Sequence, residues 1–177
     1  MEFRIIISGA GGQGVISAGE FLSEALFREG YEVVTTRSYG AEARGGSARS
    51  EVIVSDEEIH ALEIHEANVI IAMSMPAYRS FIGRAGKEAL ILVEKQLLAE
   101  LADKDLRNDV HLVEIPANET AVALGNPVVA NMVFLGALIK KIGLLTPEKL
   151  EETVKKLIRP ALQEINIKAV RAGYSMI

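Results

Sequence analysis

The sequence contains no cysteine. That alone excludes a disulfide framework, a thiolate zinc site, a cysteine nucleophile and a cysteine-ligated iron–sulfur cluster built from this chain. Histidine is nearly as scarce. His60, His65 and His111 are the only three, and none stands at H-x-x-x-H or HExxH spacing, so no metal site of the chain's own is expected. Positive charge is in deficit, with 19 Lys and Arg against 24 Asp and Glu and a formal net charge of −5. This argues against a general nucleic-acid or membrane-surface binder and leaves room only for a local basic patch. The most apolar stretch, Pro127 to Ile142, is followed by Gly143 and falls short of the roughly 20 residues that span a bilayer. No basic region or small-residue cleavage site precedes the first expected strand, so a cytoplasmic location is expected.

What is present is a core. The chain has 177 residues, 49% of them hydrophobic, which fits a single compact domain over 1–177. "FRIIIS" (3–8) reads as a strand buried on both faces. Val15, Ala18, Leu22, Ala25 and Leu26 then recur at helical spacing, with Gly30 as a stop, and "YEVVTTR" (31–37) returns to strand character. The opening is therefore expected to be a right-handed βαβ unit. Further strands are expected at 50–55, 68–73, 89–94 and 110–115. Ser55 with Glu58 predicts a capping box on a short helix near Asp56–Glu63. From residue 117 the pattern becomes helical. Asn126–Pro127 and Thr146–Pro147 start helices, and Pro160 restarts or kinks the last one, which ends near Gly173. The fold class expected is α/β, with a mostly parallel sheet and a helical C-terminal third.

Two glycine-rich loops carry the functional signal. "GAGGQG" (9–14) lies between the first strand and helix, where glycines let backbone N–H groups approach an anion. Read as G-x-G-x-x-G it predicts a dinucleotide site, but the acid expected some 20 residues on is replaced by Thr35, Thr36 and Arg37. Arg37 leaves open the 2′-phosphate of NADP, in a free-standing oxidoreductase. A tight turn that binds nothing is the other reading. Gln13 offers an amide that donates to an anion or caps the helix. The second loop, "SYGAEARGG" (38–46), brings Arg37, Arg44 and Arg49 together with glycines and Tyr39. If the second strand runs parallel to the first, both loops reach one sheet edge and suit a polyphosphate or a partner's carboxylates. Ordinary surface pairing of these charges is the plainer alternative. No catalytic constellation is visible. The pairs Glu57–Glu58 and Glu151–Glu152 read as solvated helix faces. The helix starting at Pro127 is apolar on several sides, which predicts a central core helix or a contact with another subunit.

"GAGGQGVISAGEFLSEAL" with "SYGAEARGGSARSEVIVSDEEI" resembles the gamma subunit of the 2-oxoacid:ferredoxin oxidoreductases, and the likeness continues through "ANVIIAMS" and "GNPVVANMVFLGAL". The resemblance implies a three-layer α/β/α sandwich working inside a multisubunit enzyme that converts a 2-oxoacid to an acyl-coenzyme A. It implies alpha, beta and delta-type partner subunits that hold the thiamine diphosphate, magnesium and iron–sulfur clusters, and ferredoxin as the acceptor reached through the complex. It also implies coenzyme A contact at Gly11, Gly12, Gln13, Ser38, Tyr39, Arg44, Gly45 and Gly46, with no catalytic group on this chain. A purely structural assembly subunit, whose loops only dock, is the competing implication.

Overall fold

The computed structural model describes residues 1–40 and 46–177; Arg44 and Gly45 lie outside the described residues. Among these, six strands form one sheet: β1 (Glu2–Ala10), β2 (Glu32–Tyr39), β3 (Ser47–Ser55), β4 (Ala67–Ala72), β5 (Ala85–Glu94) and β6 (His111–Ile115), in the order β2-β3-β1-β4-β5-β6. β4 pairs parallel with β1 and β5, and β6 parallel with β5, whereas β3 is antiparallel to both β1 and β2. The sheet is thus mostly parallel with one reversed strand.

That reversed strand corrects the expected βαβ unit. β2 does run in the direction of β1, but β3 lies between them. The cause is the short link over residues 40–46, since a parallel crossover needs a dozen residues or more. β3 pairs antiparallel with β2 on one side and with β1 on the other.

Alternation along β1 feeds two cores. Ile5 and Ile7 face one side and Ile6 the other, all with no exposure. The first side is covered by α1 (Val15–Arg28), α4 (Ala117–Ala123), α5 (Ala130–Ile142), α6 (Pro147–Leu157) and α7 (Pro160–Ser175). The second is covered by α2 (Met75–Phe81), through Tyr78 and Phe81, and by Leu97 and Leu98 of α3 (Lys95–Glu100). Helices on both faces of a sheet give the three-layer α/β/α arrangement. In α1 the residues at helical spacing (Val15, Ala18, Leu22, Ala25 and Leu26) are the buried ones.

The C-terminal third is helical, as its proline punctuation predicts. Asn126 caps a 3-10 turn over Pro127–Val129, its Oδ1 accepting the Val128 N–H at 3.1 Å, and α5 follows. Residues Asn131 to Ile139 of α5 are all buried, so it is a central core helix. Two expectations fail. Residues 56–66 form no helix, because the Ser55 hydroxyl accepts the Glu57 N–H at 3.0 Å in a tight turn instead of capping a helix. Glu151 is not solvated: it is 6% exposed and pairs with Arg171 at 2.6 Å. α7, by contrast, ends at Ser175, near Gly173 as expected, and the backbone of α5 leaves no room for a side chain at that glycine.

Candidate functional site

The C-terminal ends of β1, β2, β4, β5 and β6 share one edge of the sheet, the edge where open α/β sheets receive ligands. The first glycine loop stands there, between Ala10 and Val15, with Gly11 and Gly12 exposed. Gly12 and Gly14 have φ of 88° and 72°, a left-handed backbone that glycine adopts without steric cost. The helix they open has neither a side-chain cap nor an acidic residue in its first turn. Its N-terminal N–H groups and the positive end of its dipole are therefore available to an anion.

The loop is held from three directions. The Gly11 N–H donates to the Gly46 carbonyl at 2.8 Å, tying the first loop to the end of the second. Gln13 accepts the Ala10 N–H at 2.7 Å and donates to the Met73 carbonyl at 3.1 Å, so both ends of its amide are engaged by backbone. Asn131, on α5, donates to the Gly14 carbonyl at 3.1 Å.

Gly12 and Gln13 form one wall of a cleft of about 180 Å³, closed opposite by Met73, Asn118, Pro127 and Val128. Val128 is 69% exposed and makes a ridge. Beyond it lies a second depression of about 230 Å³, bounded by Gly14, Ser17, Asn131 and Leu162. Behind the cleft, Glu94 ends β5 at 2% exposure, and its Oε2 accepts the Asn118 N–H at 3.1 Å while Oε1 is buried without a partner. Burial pushes the Glu94 carboxyl above its usual range, against the opposing pull of the Asn118, Ala117, Lys95 and Gln96 N–H groups.

Of the three arginines grouped by the sequence, Arg37 and Arg49 do not converge, and Arg44 lies outside the described residues. Arg37 turns to the α1 face and pairs with Glu20 at 2.5 Å. Ser38, its neighbour in an alternating strand, points to the other face, into a basin of about 530 Å³ that it shares with Arg49, Glu51, His65 and Arg84. There Arg84 and Arg49 both reach the buried Glu51 carboxylate, at 2.7 and 3.3 Å, and both guanidinium carbons lie 5.8 Å from the Phe81 ring centroid. Tyr39 is 70% exposed at the end of β2. With β3 interposed and Arg37 held by Glu20, the end of β2 does not offer the ribose contact that a dinucleotide site requires.

His60 and His65 are exposed, and His111 opens β6 with its Nε2 2.9 Å from Glu88. Among the described residues no three His, Asp or Glu side chains are grouped to hold a metal ion, and no helix is long and apolar enough to cross a membrane.

Residues 4–176 match the family model described as pyruvate ferredoxin/flavodoxin oxidoreductase. The chain belongs to this family. Its likeness is to the gamma-type chains of the 2-oxoacid:ferredoxin oxidoreductases. It is 39% identical over 176 residues to the 2-oxoglutarate synthase subunit KorC of Archaeoglobus fulgidus, covering 99% of this chain and 88% of that one. The crystal structure of the keto/oxoacid ferredoxin oxidoreductase gamma subunit from Geobacter sulfurreducens superposes with a TM-score of 0.83 at 31% identity, covering 98% of this chain and 96% of that one. The 2-oxoglutarate:ferredoxin oxidoreductase of Magnetococcus marinus, with 2-oxoglutarate, coenzyme A and succinyl-CoA bound, gives a TM-score of 0.89 at 25% identity; 99% of this chain matches 31% of that longer chain.

Within this family chain, the two loop motifs of the sequence meet through Gly11 and Gly46. Of the residues that complete the cleft, Met73, Pro127 and Val128 lie in stretches that carry the family resemblance but were not expected as site residues, and Asn118 lies in none of them. Asn131 had a signal, as a polar residue inside the apolar run "PVVANMVFLGAL".

Proposed function

We propose that this chain is the gamma subunit of a cytoplasmic 2-oxoacid:ferredoxin oxidoreductase acting on 2-oxoglutarate, and that its glycine-loop edge receives coenzyme A. One observation carries the reading. A braced glycine loop leads into a helix N-terminus with no side-chain cap, and that loop walls an open cleft at the ligand edge of the sheet. Such a site suits the phosphate end of a thiol carrier. The bound ligands named for the Magnetococcus marinus structure, and the 2-oxoglutarate synthase subunit among the relatives, support both the ligand and the substrate.

The chemistry of the thiamine diphosphate, magnesium and iron–sulfur clusters belongs to alpha, beta and delta-type partners, with ferredoxin as the final acceptor. This chain supplies no cysteine to such clusters. Its own part is to orient coenzyme A and exclude water from the reacting acyl group. Gly11, Gly12 and Gly46 line the approach in this reading, with Ser38 and Tyr39 at its margin; Arg44 and Gly45, which the resemblance also implies, lie outside the described residues.

The test is purification of the complex through a tag on this chain, followed by coenzyme A-dependent dye reduction with a panel of 2-oxoacids. Activity with 2-oxoglutarate above pyruvate and branched-chain acids is the expected result. Gly12→Asp, which places a carboxylate at an open position, should raise the coenzyme A KM. An unchanged KM would remove the loop from coenzyme A binding.

A further inference from the structure

We infer that Gln13 and Asn131 are positioning residues, their amide groups taken up by backbone, that aim the N-terminus of α1 at the anion. The inference rests on the reading of the glycine loop given above. Each residue is an amide whose hydrogen bonds go to backbone that sets the direction of the loop. Gln13 spans the ends of two neighbouring parallel strands, accepting from Ala10 at the end of β1 and donating to Met73 just beyond β4. Only a side chain with an acceptor and a donor on one short stem does both. Glutamate keeps the acceptor and loses the donor, and an apolar residue loses both.

Asn131 acts from the opposite side. It is 6% exposed at the start of a helix whose following residues are buried and apolar, where a hydrogen bond is stronger than in bulk water. Its Nδ2 reaches the Gly14 carbonyl at 3.1 Å, the same carbonyl that accepts the first helical hydrogen bond from Ala18 at 2.9 Å. A Cβ on residue 14 would lie 2.5 Å from that Nδ2. Glycine at 14 and asparagine at 131 are therefore a matched pair: the missing side chain is what lets the amide approach. Together the two amides fix the carbonyl before α1 and the peptide before it, and so fix where the free N–H groups of the first turn point. Small displacements of such donors weaken binding steeply.

The experiment uses the assembled enzyme carrying Gln13→Ala, Gln13→Glu, Asn131→Asp or Gly12→Asp, with coenzyme A titrated at saturating 2-oxoglutarate. A positioning role predicts that Gln13→Ala and Asn131→Asp raise the coenzyme A KM about tenfold, while kcat and the 2-oxoglutarate KM stay within about threefold. Gln13→Glu, retaining one of the two bonds, should fall between wild type and Gln13→Ala, and it keeps the test open if Asn131→Asp fails to fold. If Gly12→Asp raises the coenzyme A KM while the Gln13 and Asn131 variants do not, the positioning role is overturned and the loop reading stands. If none of the four moves that KM, the loop reading itself falls. Parallel loss of kcat, both KM values and subunit content would show the two amides to be structural only, and would also overturn the proposal.

Discussion

Gly136 on α5 and Gly173 on α7 are reciprocal: a Cβ on the first would run into the Val170 carbonyl of α7, and a Cβ on the second into the Val133 carbonyl of α5. The two helices cross backbone to backbone at these points, and the site depends on that crossing because Asn131 rides on α5.

Gly136→Ala should destabilise the protein by about 2–3 kcal/mol, the cost of overpacking a close contact that has no flexible side chain to yield. Chemical denaturation of wild type and variant measures it. A change below half a kcal/mol would mean that the helices separate without penalty.

Glu88 has a φ of 61°, alone among the described non-glycine residues in being positive. That conformation costs an ordinary residue about 1–2 kcal/mol, and its exposed contact with His111 returns little. Glycine's extra unfolded-state entropy takes back about 0.5–1 kcal/mol. Glu88→Gly should therefore raise Tm by about 1–2 °C. A lower Tm would show that the His111 contact outweighs the backbone strain.

Arg84 is the closer of the two partners of the buried Glu51 carboxylate, and it also donates to the Ile64 carbonyl. Arg84→Met leaves that carboxylate short of a partner and should cost about 3 kcal/mol. Adding Glu51→Gln to Arg84→Met should restore part of the loss, because the uncompensated charge is removed. Strict additivity in a double-mutant cycle would contradict the coupling.

Glu94 makes a pH prediction. Burial raises its folded-state pKa above the ordinary value of 4.5, so the folded protein binds this proton more tightly than the unfolded chain does. The contribution is present below the unfolded pKa and is lost as pH rises through the folded pKa. Relative to Glu94→Gln, the wild type should therefore gain Tm on going from pH 7 to pH 4. A difference in Tm that does not vary with pH would show that the carboxyl is unshifted.

Much of the fold was legible because hydrophobic period encodes it locally. The run Ile5-Ile6-Ile7 has to be a strand covered on both faces, and the spacing of Val15, Ala18, Leu22, Ala25 and Leu26 has to be a helix with one buried side. The glycine loop could be located for the same reason, since its φ angles are a property of the residue type. The capping box at Ser55 failed because the same hydroxyl serves a turn equally well, and nothing local chooses between the two.

By itself the sequence determined most of the element types, the position of the two glycine-rich stretches, the lack of cysteine and the family to which the chain belongs. Only the tertiary structure decided that β3 inserts between β1 and β2, that Arg37 and Arg49 part to opposite faces, and that Gln13 ties the loop to Met73 beyond β4 while Asn131 grips it from α5. The physical reason is range. Periodicity and backbone preference act over a few neighbouring residues, whereas strand order and an amide reaching from position 131 to position 14 are set when distant segments pack.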